Sequence, residues 1–367
     1  MYIHNLEDWP KFSWSRDAVA DLLIQVRHKQ GVLIGGMNSI GFEDRGEVAL
    51  QTLTQDVVKS SEIEGEILDQ SLVRSSVARK LGIDDGAIAA DDKRVDGVVE
   101  MMLNATQEFD RVLSQERLFI WHSFLFPSGR SGFSRITVGQ WRKGSVQVVS
   151  GQMGKELVHF DGPSGDRVDE GMNRFLDWLN NDSKIDAVLK SAIAHLWFVT
   201  IHPFDDGNSR IGRAIADMLL ARSEKSSQRF YSLSAQIQLE RKGYYKILEQ
   251  IQKGSLDITS WLVWFLNCLL RAIERALTVL EKINHKASVW RALSKFSLNE
   301  RQKKLINRLL DGFDGLLTTS KWAKIAKCSQ DTAYRDILEL QQLSILTKNE
   351  PKGRSTSYSL REEIWLR

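Results

Sequence analysis

Cysteine is nearly absent. The 367 residues hold two, Cys268 and Cys328, far apart and in no Cys-x-x-Cys pair. That argues against a disulfide framework or a cysteine zinc site and fits a reducing compartment. Long apolar runs are missing too. The longest, Trp261 to Leu270, contains Asn267, is too short to span a bilayer and reads as a buried, Trp-rich helix. Met1 to Pro10 is polar and lacks the apolar core of a signal peptide. A cytoplasmic protein with no membrane partner is therefore expected, with export by a route that needs no cleaved signal left open. Neither sign of charge dominates: the net is +3, too mild to argue for nucleic acid along the whole chain. No internal repeat or low-complexity tract occurs. The G-x-S-x-G of hydrolases, the P-loop G-x-x-x-x-G-K-[S/T] and H-E-x-x-H are all absent. His195 and His202 could share a helix face, but no carboxylate cluster accompanies them to make zinc ligands.

What is present is an ordinary globular composition, 42% hydrophobic and 26% charged, on a chain long enough for two or three domains. The most informative stretch runs from His202 to Arg213: a titratable base, two carboxylates, a glycine turn and two arginines. The apolar segment Ala187 to Thr200 before it, and Ile211 to Arg222 after it, both have helical character. Asn208 or Ser209 is the predicted N-cap of the second helix. Its free backbone N–H groups and positive end make a site for phosphate oxygens. Arg210 and Arg213 are three apart, so they share a helix face and can hold one anion together.

Elsewhere, Trp9 to about Leu81 reads as helices, interrupted where Gly31, Gly35 and Gly36 fall. Within Leu53 to Leu68, Val57, Ser60 and Glu64 lie on one helix face, and Gly65 suits a helix end. Asp84 to Asp96 is acidic and reads as a flexible linker. Val146, Val148 and Val149, the turn Gly151-Gln152-Met153-Gly154, and Leu157 to Phe160 predict a short hairpin. Gly243-Tyr244-Tyr245 precedes a helix from Lys246 to Gln252, and Leu256 to about Val289 is one or two long helices. Leu305–Leu310, Trp322–Lys327 and a segment N-capped by Ser329 are three more helices. Two short strands, Ile345-Leu346 and Tyr358-Ser359-Leu360, then bracket the basic Lys352-Gly353-Arg354-Ser355. Residues 301–358 hold 11 Lys or Arg against 6 Asp or Glu. That net +5 supports nucleic-acid contact by this segment.

The stretch from His202 resembles the signature loop of the Fic family, H-P-F-x-[D/E]-G-N-[G/K]-R-x-x-R. His202, Pro203, Phe204, Asp206, Gly207, Asn208, Arg210 and Arg213 match it, and Ser209 departs from it. Ser60-x-x-x-Glu64-Gly65 resembles the inhibitory motif [S/T]-x-x-x-E-[G/N] of Fic proteins that carry an inhibitory helix before the core. The resemblance implies a protein adenylyltransferase, which moves AMP from ATP, with Mg²⁺ or Mn²⁺, onto a Ser, Thr or Tyr hydroxyl of a target protein. By it, His202 is the base, Asp206 holds the metal, and Gly207, Asn208, Ser209, Arg210 and Arg213 hold the phosphates. Tyr244 or Tyr245 flanks the nucleotide, Glu64 restrains Arg213, and the hairpin holds the target. An enzyme that removes AMP is one alternative; a DNA-binding regulator with a Fic sensor domain is another. The expected fold is mainly α: a helical region over 1–94 with the inhibitory helix, a Fic domain over 95–290 with one hairpin flap, and a winged helix-turn-helix over 291–367. Homodimerisation is expected from the resemblance as well.

Overall fold

A computed structural model describes residues 1–83, 92–150, 157–350 and 356–361, and it is mostly helical. In chain order come α1 (Arg16–Ser39), α2 (Phe42–Ile63), α3 (Gln70–Leu81), α4 (Lys93–Gln107) and α5 (Gln115–Leu125). Two antiparallel strand pairs follow: β1 (Arg130–Ser131) with β2 (Ser134–Arg135), and β3 (Gln147–Ser150) with β4 (Leu157–Asp161). Then come α6 (Val168–Asn181), α7 (Ala187–Ile201), α8 (Asn208–Glu224), α9 (Leu233–Leu239), α10 (Arg241–Gln252) and α11 (Thr259–Leu293). The chain closes with α12 (Glu300–Leu310), α13 (Thr319–Ala326), α14 (Gln330–Gln342) and the antiparallel pair β5 (Leu346–Lys348) and β6 (Tyr358–Leu360). It divides into two units, Met1–Leu277 and Thr278–Arg367, with the division inside α11.

The first unit is built around α7 and α8. Every residue of α7 after Ala187 is buried, the signature of a helix surrounded on all sides. Phe198, Ile201, Phe204, Ile211, Ile215 and Met218 join one core with Trp121, Phe175 and the apolar faces of α2 to α4. α2 packs against α9, α3 and α8, which carries its C-terminal end to the start of α8. The β3–β4 hairpin has the expected strands, with a register shift between Val148 and Val149. Its turn, residues 151–154, lies outside the described residues.

The second unit has its own core, including Leu305, Trp322, Ile337, Leu340 and Tyr358. Its helices begin on side-chain caps: Asn299 and Gln302 form a reciprocal capping box for α12, Thr318 caps α13 and Ser329 caps α14. The basic segment 352–355 lies outside the described residues.

Three expectations need correction. α1 runs unbroken through Gly31, Gly35 and Gly36. Glycine costs a helix only about 1 kcal/mol, and Val26, Gln30, Leu33 and Met37 on the same helix are buried. Tyr244 and Tyr245 lie inside α10, which begins at Arg241. The acidic stretch read as a linker already includes the first turn of α4, N-capped by Asp92; its residues 84–91 lie outside the described residues.

Candidate active site

α7 ends where its apolar sequence ends, and the chain turns there on a strained residue. His202 is its C-cap, at φ 52°. A non-glycine residue in that left-handed region costs about 1 kcal/mol or more, so surrounding contacts must hold it. Arg142 supplies them. Its Nε donates to the His202 carbonyl at 2.7 Å, one Nη to the carbonyls of Pro163 and Ile201, and the other to Gly144; its own N–H donates to Pro203 O at 2.9 Å. The His202 Nδ1 lies 3.2 Å from the Val199 carbonyl. A carbonyl can only accept, so Nδ1 carries the hydrogen and Nε2 keeps its lone pair. Removal from bulk water pushes the imidazole down to about 4, so the ring is neutral at pH 7.

The rest of the loop is pinned from below. Phe204 is fully buried and stacks on His122 at 4.2 Å between ring centres. Gly139 N–H donates to His122 Nδ1 at 3.1 Å, so Nε2 bears the proton and donates to Asp206 O at 3.2 Å. Burial keeps this second histidine neutral too, at about 4. The Asp206 carboxylate accepts from the Ser131 hydroxyl on β1 and from Gly207 N–H. Asp205 accepts from Thr137 N–H. Gly207 sits at φ 81° as the N-cap of α8, and a Cβ there would lie 2.9 Å from the Phe126 ring. α8 therefore starts one residue earlier than its expected caps: Asn208 and Ser209 are its first two residues. Neither needs a positive φ, and the first-turn N–H groups have no acceptor within the helix.

The two arginines are both occupied. Arg213, 1% exposed, donates from Nη1 to Glu64 Oε1 at 2.8 Å, from Nε to Ser60 Oγ at 2.9 Å and from Nη2 to Ser60 O at 2.7 Å. Burial opposes its charge, but the Glu64 carboxylate together with the Tyr244 and Tyr245 hydroxyls holds the guanidinium above its ordinary value. Glu64 is the C-cap of α2, and Gly65 follows at φ 86°. Gly65 N–H bonds Glu62 O and Glu66 N–H bonds Ser61 O, a Schellman end for the helix. Beyond the turn, Glu66 accepts from Arg210 Nη1 at 2.6 Å.

These elements enclose a cavity of about 730 Å³, within the range that takes a nucleotide-sized ligand. It is lined by Glu64, His202, Asp206 to Arg210, Tyr245, residues of β3, and His159 and Phe160 of β4. The Fic/DOC family model matches residues 112–220, which hold His202, Asp206, Arg210 and Arg213. Over that segment the chain is similar to the Fic/DOC family. A second model, a domain of unknown function (DUF4172), matches residues 2–83, which carry Ser60 and Glu64. Protein adenylyltransferase Fic of Nematostella vectensis is 25% identical over 234 residues, 61% of this chain and 48% of that protein. Its counterpart in Culex quinquefasciatus is 26% identical over 238 residues, 63% of this chain and 43% of that protein. The chain thus spans under half the length of these curated relatives. A Fic family protein from Desulfovibrio desulfuricans G20 shares the fold at a TM-score of 0.58 and 20% identity, over 96% of this chain and 98% of that one. A Fic domain signalling protein from Bacteroides thetaiotaomicron VPI-5482 does so at 0.51 and 18%, over 72% and 97%.

Two expected side chains, Asn208 in the loop and Tyr244 on α10, are spent on partners other than the cavity. The Asn208 amide accepts from Phe204 N–H at 2.9 Å and donates to Phe204 O at 2.8 Å, closing the loop on itself. Tyr244 is fully buried, and its hydroxyl lies 2.8 Å from His195 Nε2. Tyr245 does line the cavity, and its hydroxyl donates to Ile63 O at 3.2 Å and towards Glu64 at 3.4 Å. Sequence reasoning missed Arg142, His122, Ser131 and Glu66. Only Glu66 offered a signal: it directly follows the inhibitory motif.

Proposed function

We propose that this chain is a protein adenylyltransferase that moves AMP from ATP onto a hydroxyl of a target protein, restrained by Glu64. The observation that carries the reading is His202: a neutral imidazole with a lone pair on Nε2, at a cavity of nucleotide size whose wall is the N-terminus of α8. As the target hydroxyl attacks the α-phosphorus, its proton passes to His202 Nε2. The bond from phosphorus to the bridging oxygen breaks and pyrophosphate leaves. First-turn N–H groups of α8, from Asn208, Ser209 and Arg210, receive phosphate oxygens. Tyr245 flanks the base.

Asp206 fits a Mg²⁺ or Mn²⁺ ion. Its carboxylate lies on the cavity wall, backed by the Ser131 hydroxyl and the Gly207 N–H. Among the described residues no group of three His, Cys, Asp or Glu could cage a metal, which suits an ion carried largely by substrate phosphates. When bound, such an ion neutralises phosphate charge.

The target segment is received by the hairpin. His159 ties β4 to Glu249 on α10 at 2.9 Å, and β3 pairs only with β4 among the described residues. With β4 backed by α10, the outer edge of β3 is the one assigned to an extended peptide, aligned through main-chain bonds without demanding its sequence. Arg213 and Arg210 serve the outer phosphates once released from their carboxylates. Removal of AMP is the competing direction, because a resting site with Arg213 withheld disfavours a triphosphate. In the second unit, the net charge of residues 301–358 and the exposed Tyr334 and Arg335 on α14 support contact with DNA.

The test is self-labelling with α-labelled ATP and Mg²⁺, comparing wild type, Glu64→Gly, and Glu64→Gly with His202→Ala. Strong labelling in Glu64→Gly alone is expected. No labelling in any form, together with cleavage of an AMP-modified protein by wild type only, would move the assignment to AMP removal.

A further inference from the structure

The Fic loop's two arginines are held by two carboxylates, one on each side of Gly65. We propose that Glu66 is a second restraint, acting on Arg210 as Glu64 acts on Arg213. Together they match the resting cavity to a ligand with one phosphate and set it against one with three. This rests on the nucleotide reading above and adds to it a residue outside the inhibitory motif.

Both carboxylates hang from the Schellman end of α2. The positive φ of Gly65 reverses the chain, and the N–H of Glu66 is fixed to Ser61 O at 3.0 Å. Glu66 is therefore attached to the same last turn that presents Glu64, and the two side chains meet α8 one helical turn apart, at Arg210 and Arg213. Arg210 is nearly enclosed: its side chain is 7% exposed, against 32% for Glu66, and its guanidinium lies 5.1 Å over the Phe126 ring. In so sheltered a place a 2.6 Å ion pair fixes where the guanidinium points.

The two restraints differ in completeness. Arg213 uses all three of its nitrogens on Glu64 and Ser60. Arg210 has a buried Nε without a partner among the described residues. A guanidinium held at one corner with a donor to spare can be recruited by an anion that offers more acceptors. Glu66 is thus the weaker of the two, and it controls how well a polyphosphate tail seats after Glu64 has let go. A ligand ending at one phosphate needs neither arginine.

The experiment is calorimetric titration of ATP and of AMP, each with Mg²⁺, into wild type, Glu66→Gln, Glu64→Gln, the double variant, and Glu62→Gln as a neighbouring carboxylate that bonds Lys59 and Gln238 instead. Glu66→Gln keeps the side-chain shape and removes the charge. Its ATP affinity should rise about tenfold, the worth of one charge-assisted contact, with AMP affinity unchanged. The double variant should bind ATP more tightly than either single one, and Glu62→Gln should match wild type. Tripolyphosphate, which has no base, should reproduce the ATP pattern. If Glu64→Gln tightens ATP while Glu66→Gln changes nothing alone or in the double variant, this inference is overturned and the nucleotide reading stands. If neither nucleotide binds any form, both fall.

Discussion

His202 carries a base whose proton affinity is set by where the chain puts it. Its ordinary value of 6.5 is moved to about 4 by loss of bulk water, and the neutral ring is the one that accepts a proton. The rate of AMP transfer by Glu64→Gly should therefore rise with pH through about 4 and be level from about pH 5 to 7. A pH profile of single-turnover labelling checks this, and an ascending limb near 6.5 would mean an unburied imidazole. Arg142 is a second residue-scale case. Its head group is spent on four backbone carbonyls around the strained His202. Arg142→Met leaves those carbonyls without a buried partner and should cost about 3 kcal/mol in urea denaturation, with a larger loss of rate than of ATP affinity. His202, Asp206, Arg210 and Arg213 were legible because they fall within one contiguous stretch. Arg142 and His122 were not, because nothing in spacing links those positions to residues 201–206 before the chain is folded.

Among the elements, those with a clear boundary chemistry were readable. Ser329 begins α14 as expected, and the mainly apolar run became the buried α7. Readings that leaned on glycine as a breaker failed at α1, where burial of the opposite face decides. Gly31 and Gly35 sit on the exposed side of that helix, and a Cβ at either meets nothing within 4 Å. Gly31→Ala and Gly35→Ala should each stabilise the protein by about 0.5–1 kcal/mol, seen as a higher midpoint in thermal melting. A loss of stability at either position would mean that α1 is not continuous. The start of α8 was misplaced by one residue because a positive-φ glycine can end the loop without a side-chain cap. Asn208, the natural cap by type, is used instead to close the loop on Phe204.

For the molecule as a whole, the proposed restraint and a share of the stability rest on the same contact, Glu64 with Arg213. Glu64→Gly leaves a nearly inaccessible Arg213 with Ser60 alone, and should lower stability by about 2 kcal/mol in the absence of nucleotide. Saturating ATP should return more than this, because a ligand at a hundred times its dissociation constant adds about 2.7 kcal/mol. Wild type should gain far less. Differential scanning calorimetry with and without ATP and Mg²⁺ makes the comparison, and equal gains for the two forms would separate Glu64 from the nucleotide. At this scale the sequence showed a mainly helical chain with one hairpin near the loop, since periodicity and β-branched clustering are local properties. It did not show that the hairpin is tied to the body through His159 of β4 and a helix about ninety residues away.

The Schellman end of α2 has one more consequence. The carbonyl end of a helix carries partial negative charge, and Glu64 is a carboxylate placed on that end. Its helix repels it, and Arg213, with a longer contact from the Tyr245 hydroxyl, holds it there. On the proposed role of Glu64, a phosphate that takes the arginine leaves the carboxylate on a pole of its own sign. The proposed catch is then cocked by the helix that bears it, and its opening calls for a competitor for one guanidinium.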